Sequence, residues 1–250
     1  MFGRVLSLFT VVSLLLLSSS GIFNQLMYAQ NADASAPYNS FGPITDYSSA
    51  LKDSLDSGHV QKGMRYNLNN EKVPELGEGS EANLFDLPKS HTSKSLSPSG
   101  YNTIVIGTVT NGRSYLSSDK RNIYSEFKID VREVIKSPGS STLAAGQTIE
   151  IERNGGAIRL PSGKILQRGS LTESMPQVGK RYALILQYKE DTRSFILITG
   201  YQLEGNHVYS LDDDQKSGNA LNHPLKEHGG TENQLVEELK KPASPGKGED

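Results

Sequence analysis

The 250-residue chain contains no cysteine. That excludes disulfides, thiolate metal sites, a cysteine nucleophile and a lipid-modified N-terminal cysteine, so packing alone must hold the protein together. A bias of charge is also missing: 26 Lys and Arg face 28 Asp and Glu, for a formal net charge of -2. Nothing electrostatic therefore draws the chain to nucleic acid or to an anionic membrane. A cysteine-free exported chain suits a bacterial envelope or periplasm better than an animal extracellular space, and the lack of an Asn-x-Ser/Thr acceptor is compatible with that. Long hydrophobic runs are absent as well. The one apolar stretch, Val5 to Leu17 behind Arg4, is too short for a spanning helix, which needs ~20 residues. A positive charge, a short apolar core and then small residues are the pattern of a cleaved secretory signal. We expect a signal peptide over residues 1–29, cleaved after Ala29, with Ser20 as a rival site and an uncleaved anchor as the alternative. The mature protein would then be secreted or periplasmic.

Recognisable chemistry is scarce too. No serine sits in Gly-x-Ser-x-Gly, and Ser90-His-Thr-Ser-Lys94 falls in a polar stretch that could not hold a nucleophile in geometry. Asn154-Gly-Gly156 precedes no helix and reads as a turn rather than a phosphate loop. Five histidines are scattered at 59, 91, 207, 223 and 228. His223 and His228 with Asp212-Asp-Asp214 could form a carboxylate–imidazole metal site, but Lys216 and Ser217 break a calcium-loop pattern, and solvated loops are the favoured reading. No catalytic residue, metal set or cofactor is assigned.

What the chain does have is a block of short, β-branched segments from Tyr101 to Leu211, punctuated by Gly, Pro and Asn. The clearest is Tyr124 to Arg132. There Phe127, Ile129 and Val131 share one face, and Glu126, Lys128, Asp130 and Arg132 the other, as a strand buried on one side requires. Further strands are expected at Ile104–Val109, Gln147–Glu152, Ala157–Leu160, Lys164–Gln167, Tyr182–Tyr188, Phe195–Thr199 and in a last hairpin around Gly205-Asn206. Tyr182, Tyr188 and Phe195 lie in apolar strands and read as core. Residues 30–100 read as a largely disordered segment and linker, with a possible short helix over 46–57 capped by Thr45 and stopped at Gly58. The tail, 212–250, carries a helix over 232–240 announced by the capping box Thr231-Glu-Asn-Gln234.

Ile104-Val-Ile-Gly-Thr-Val109, the long strand ending Glu133-Val-Ile-Lys136, Ala145-Gly-Gln-Thr-Ile-Glu-Ile151 and Val178-Gly-Lys-Arg-Tyr-Ala-Leu-Ile-Leu186 follow one another in a telling order. This order resembles the OB-type barrel of tissue-inhibitor-of-metalloproteinase and netrin-like modules. Glu152-Arg-Asn-Gly-Gly156 and Pro161-Ser-Gly-Lys164 are in addition similar to turns of an uncharacterised family of exported bacterial proteins. The resemblance covers under half of the chain and implies a mainly β fold, a small OB-like β-barrel over 101–211. The animal inhibitors act through an N-terminal cysteine that chelates the protease zinc, a route this chain does not have.

Two structural problems follow from the pattern. Ile104–Val109, Tyr182–Tyr188 and Phe195–Thr199 are apolar on both faces, so something must cover the outside of a barrel; the C-terminal helix is the favoured cover, through Leu235, Val236 and Leu239. Strict alternation also turns Glu133 and Arg153 inward. Either a β-bulge near Arg132-Glu133 releases Glu133, the favoured solution, or Glu133 and Arg153 meet at the barrel's end. In that second case the rim would offer a binding patch of Arg153, Arg159 and Lys164. The function expected is that of a non-enzymatic exported β-barrel module binding a protein or glycan in the cell envelope. The alternatives are a hydrolase or metal-dependent enzyme with an unrecognised site, and a purely structural envelope role.

Overall fold

The computed structural model describes residues 42–69, 73–80, 83–84, 103–137, 143–169, 173–212 and 230–241. The expected signal peptide, Ser90–Lys94, Asp213, Asp214, His223 and His228 lie outside them. In chain order the elements are β1 (Ile44–Asp46), α1 (Tyr47–Ser54), α2 (Ser57–Met64), β2 (Asn83–Leu84), β3 (Thr103–Leu116), β4 (Ile123–Lys136), β5 (Thr148–Asn154), β6 (Gly156–Arg159), β7 (Ile165–Arg168), β8 (Arg181–Lys189), β9 (Ser194–Glu204), β10 (His207–Ser210) and α3 (Glu232–Lys240). The fold is mainly β, as the alternation predicts.

Five strands pair in a closed cycle. β3 lies antiparallel to β4 and β8, β4 antiparallel to β5, and β8 antiparallel to β9. A short parallel seam, Ile151 with Phe195 and Glu152 with Ile196, closes the ring between β5 and β9. β10 folds back on β9 through Gly205. The inner face packs Val105, Val109, Phe127, Ile129, Val131, Ile151, Leu184 and Phe195 into one core. Tyr182 lies in that core, its hydroxyl donating to Gln202 Oε1 at 3.3 Å, and Tyr188 packs on its edge.

The outer face of β3 and β8 is apolar as well, and α3 covers it. Leu235 and Leu239 sit against Ile104, Ile106, Ile185, Tyr201, Leu203 and Val208, with Val236 at the margin. The capping box is complete, since Thr231 and Gln234 satisfy each other's backbone N–H groups. Opposite-charge contacts at both ends, Arg181 with Glu232 and Lys240 with Glu133 at 3.4 Å, hold the helix in register.

The Glu133 problem is solved by bulges. Gly107 pairs with Val131 and Ile106 with Glu133, which leaves Arg132 without a partner; Ile135 is skipped in the same way. Val134 therefore turns toward the inner core and Glu133 outward, where it meets Lys240. The alternative pairing of Glu133 with Arg153 does not occur. The bend also brings β3 and β4 so close that a Cβ on Gly107 would lie 2.5 Å from Ile129 Cγ2. Only glycine fits there.

A second, four-stranded sheet is built around the β6–β7 hairpin, with β1 parallel to β6 and β2 parallel to β7. Ile158, Leu160 and Leu166 of this hairpin, with Leu116 and Ile123 of the ring, form a core that α1 covers through Tyr47, Ala50 and Leu51. The helix expected over 46–57 ends earlier, at Ser54, and Leu55 is exposed. Thr45 is not its cap: it lies in β1, and its hydroxyl accepts from Ser114 N–H at 2.9 Å.

The segment expected as a linker from His59 is different again. Asp56 caps a second helix, its side chain accepting from Gly58 N–H at 3.2 Å, so Gly58 starts a helix instead of stopping one. α2 and the residues behind it dock on the ring through charge and aromatic contacts. Hydrophobic periodicity does not register such contacts.

Deleting residues 231–250 is expected to lower the melting temperature, because the outer face of β3 and β8 would meet water. Leu235→Ala alone should cost about 2–3 kcal/mol in urea unfolding. Wild-type stability in both variants would show that α3 does not seal the ring.

Candidate functional site

Alternation on β4 and β5 places Tyr124, Glu126 and Glu150, Glu152 on the outside of the ring, opposite the core residues Phe127 and Ile151. Glu126 pairs directly with Glu152 across the two strands, and Glu150 is the diagonal neighbour. Like charges so placed repel each other. Two of the three carboxylates are nonetheless buried: the Glu126 side chain is 4% exposed and that of Glu152 0%. Each would cost several kcal/mol without a counter-charge.

α2 supplies the counter-charges. His59, Lys62 and Tyr66 are spaced three and four apart, so they share one face of the helix and the turn behind it. Lys62 Nζ bridges Glu126 Oε1 at 3.1 Å and Glu150 Oε1. His59 Nε2 lies 3.5 Å from Glu126 Oε2. Arg65 donates to Glu152 Oε2 at 2.8 Å and reaches Asp191 and Thr192 at the β8–β9 turn. Tyr66 Oη donates to the same Glu152 oxygen at 3.1 Å. The aromatic rings continue the contact in a row. His59 stacks on Tyr115 at 4.4 Å, Tyr115 on Tyr124 at 5.5 Å and Tyr66 on Tyr124 at 4.7 Å.

The close approach has a backbone cause. A Cβ at Gly63 would lie 2.8 Å from Ser118 Oγ and 3.0 Å from Ser118 N, so only glycine lets α2 settle on the β3–β4 turn. Ser118 Oγ then donates to Val60 O at 2.7 Å, and Asn122 Nδ2 donates to Tyr66 O at 3.0 Å.

The electrostatics follow from these contacts. The hydrogen bond to Glu126 raises the His59 pKa against the opposing effect of burial. Burial raises the Glu126 carboxyl despite His59 and Lys62. Burial works on Glu150 in the same sense, yet the Lys62 hydrogen bond and charge outweigh it and bring Glu150 below its ordinary value. Burial pushes the phenols of Tyr66, Tyr115 and Tyr124 upward, so they remain neutral donors. Beside this network lies a depression of roughly 150 Å³ lined by Asn111, Arg113, Tyr115, Glu126, Lys128 and Glu150. Arg113 and Lys128 stand exposed at its mouth, and Arg113 lies 5.9 Å from the centre of the Tyr115 ring.

The arrangement can hold a charged group at its rim, but His59 has no hydroxyl nucleophile bonded to it among the described residues: Nε2 faces Glu126, and Nδ1 is buried without an acceptor. Among the described residues no group of three or more His, Asp and Glu side chains is placed to hold a metal ion.

Arg153, Arg159 and Lys164 do not belong to this site. Arg153 points inward, is 2% exposed and pairs with Asp212. Arg159 stands exposed on β6, 3.7 Å from Asp46, and Lys164 donates to Ser80 O. They engage three separate partners and form no common patch. The residues that do come together were visible only as the polar half of an alternating pattern, which reads as solvent-facing, and as a His-x-x-Lys-x-x-x-Tyr spacing inside an apparent linker. The chain matches no protein-family model and no curated protein sequence.

Linkage gives the pH dependence of α2 docking its sign. A histidine whose pKa is raised on folding stabilises fully below its unfolded value, about 6.5, and that contribution is lost as pH rises through the folded value. The raised Glu126 acts in the same direction. The lowered Glu150 acts in the opposite one, its contribution lost only as pH falls into the carboxylate range. Docking of α2 should therefore be tightest at mildly acidic pH and loosen above about pH 6.5. Hydrogen exchange of the α2 amides between pH 5 and 8, corrected for the intrinsic rate, should show this slope, and His59→Gln should remove most of it.

Lys62→Met leaves Glu126 buried without its main cation and is expected to cost about 3–5 kcal/mol. Adding Glu126→Gln should recover a large part of that loss. A double-mutant cycle in urea checks it; strictly additive losses would mean that the pair is not coupled.

Proposed function

We propose that the protein is a non-enzymatic binding module of the cell envelope, built on an OB-like β-barrel, that takes a protein partner at the depression beside α2. The barrel assignment rests on strand order. The five ring strands pair first to second, second to third, third to fifth in parallel, fifth to fourth and fourth to first. This order is the one expected of the Greek-key closure of OB barrels, which bind ligands on the face of their second and third strands. Here those strands are β4 and β5, the ones that carry the carboxylate row. Export rests on Arg4 and the Val5–Leu17 run.

One observation carries the binding reading over the enzymatic one. The titratable groups of the site are consumed by each other, Lys62 between Glu126 and Glu150 and His59 against Glu126, while Lys128 remains exposed at the depression and Arg113, also exposed, is paired with Asp53. Catalytic groups need a reacting atom to work on, whereas this network keeps its proton carriers locked in ion pairs. A glycan is the weaker candidate, because the rings on which a sugar would stack are covered by α2. The exposed Lys128 favours a partner segment with acidic side chains.

The test is capture from envelope extracts, with mass spectrometry of what is retained. Wild type should enrich a defined protein that Lys128→Glu loses while keeping its melting temperature. Equal capture by both forms would remove the depression from the interface. Hydrolysis of ester or peptide probes that Glu126→Gln abolishes would instead establish the hydrolase reading.

A further inference from the structure

We propose that Asn111 is a site of spontaneous deamidation: the backbone nitrogen of Gly112 closes onto its side chain, and hydrolysis leaves a carboxylate facing Lys128 in the depression beside α2. The chain has two Asn-Gly pairs, Asn111-Gly112 and Asn154-Gly155. The fold treats them differently. Gly112 N–H donates to Asn111 Oδ1 at 2.7 Å, so the nitrogen already lies against the carboxamide it would attack. Asn111 is exposed to the water that the reaction consumes. In the other pair both groups are engaged elsewhere. Asn154 Oδ1 accepts from Asn122 Nδ2 at 2.9 Å, and Gly155 N–H donates to Ile123 O at 2.8 Å.

A bulge sits at this point of β3. Val109 pairs with Ile129 and Asn111 with Lys128, which leaves Thr110 as the extra residue. The regular ladder is broken there, so the backbone can accommodate ring closure and the longer main chain of an isoaspartate. Packing also fixes the residue that follows. A Cβ on Gly112 would lie 2.9 Å from Phe127 Cδ1 and 3.3 Å from Pro43 Cγ, so the strand needs glycine. With no side chain beside its nitrogen, glycine is also the neighbour that hinders the attack least.

The step balances with water alone. Gly112 N loses its proton to solvent and bonds to Asn111 Cγ, the Cγ–Nδ2 bond breaks, and ammonia leaves with a proton taken back from solvent. Water then adds to either carbonyl of the cyclic imide and opens it to aspartate or isoaspartate. A carboxylate thus stands where a neutral amide stood. Directly opposite it in register is Lys128, the exposed cation of the depression. Opposite charges so placed attract each other, and the new carboxylate neutralises Lys128 from within the chain. On the acidic-partner reading of the depression, on which this consequence rests, deamidation is a slow and irreversible off-switch for that site.

The experiment ages the full chain in mildly alkaline buffer and maps its peptides by mass spectrometry, with the urea-unfolded chain as reference. In the folded protein the Asn111 peptide should exchange the mass of an amide for that of a carboxylic acid and separate into aspartate and isoaspartate forms, while the Asn154 peptide stays intact. In urea both should convert. An Asn111 that is preserved in the folded protein, or that converts no faster than Asn154, overturns the proposal. The switch is read with Asn111→Asp, which should lose the protein that wild type captures from envelope extracts, as Lys128→Glu does; undiminished capture overturns the switch. Should Asn111→Asp fail to fold, the aged wild-type chain takes its place. A fresh wild type that captures nothing counts against the acidic-partner reading, and the peptide map decides the modification by itself.

Discussion

Three carboxylates stand on the outside of adjacent strands, and the way they are neutralised organises the structure around them. Glu126 and Glu152 face each other across β4 and β5, with Glu150 beside them. Left to water these groups would repel and stay solvated. Glu126 and Glu152 are buried, and Glu150 is neutralised, because His59, Lys62 and Arg65 arrive on a single short helix and its cap, at spacings that match the strand positions. Gly63 lets that helix approach, and the row of stacked rings from His59 to Tyr66 excludes water from the contact. A buried ion pair is poor evidence for stability taken alone, since desolvation offsets most of its attraction. Its effect here is on specificity: any other placement of α2 leaves two or three carboxylates uncovered.

The same logic of covering applies around the rest of the ring. Its inner face is filled by the strands' own side chains, whereas its outer face is divided into sectors with different chemistry. α3 seals an apolar sector and α2 the charged one, while α1 and the β6–β7 hairpin cover the end of the inner face at Leu116 and Ile123. The bulges on β4 set these sectors apart. By skipping Arg132 and Ile135 the strand moves Val134 into the core and sends Glu133 out to Lys240, so one strand serves two environments along its length. The depression beside α2 opens on β3, β4 and β5, where exposed cations and a buried carboxylate line the same small space.

Much of this was legible from residue patterns. Period-two alternation located the ring strands, the capping box located α3, and the two-faced apolar character of Ile104–Val109 required an outside cover that Leu235 and Leu239 supply. Steric and charge reasoning on Glu133 pointed to the bulge. The site was not legible in the same way. Glu126, Glu150 and Glu152 occupy polar positions of an alternating pattern, and nothing in that pattern separates a solvated face from one that a distant helix covers. Arg153, Arg159 and Lys164 are near one another in the chain but engage different partners in space.

By itself, the sequence determined the local preferences: which segments extend, which faces are apolar, where helices begin, and that no disulfide can hold the chain. These depend on neighbours a few residues apart, so composition and spacing encode them. Only the tertiary structure decided that residues 57–66 belong against β4 and β5 and that Arg153 is buried against Asp212. Such pairings join residues far apart in the chain, 64 positions for Lys62 with Glu126 and 59 for Arg153 with Asp212. Their energy comes from shared burial, and it exists only once the strands have already met.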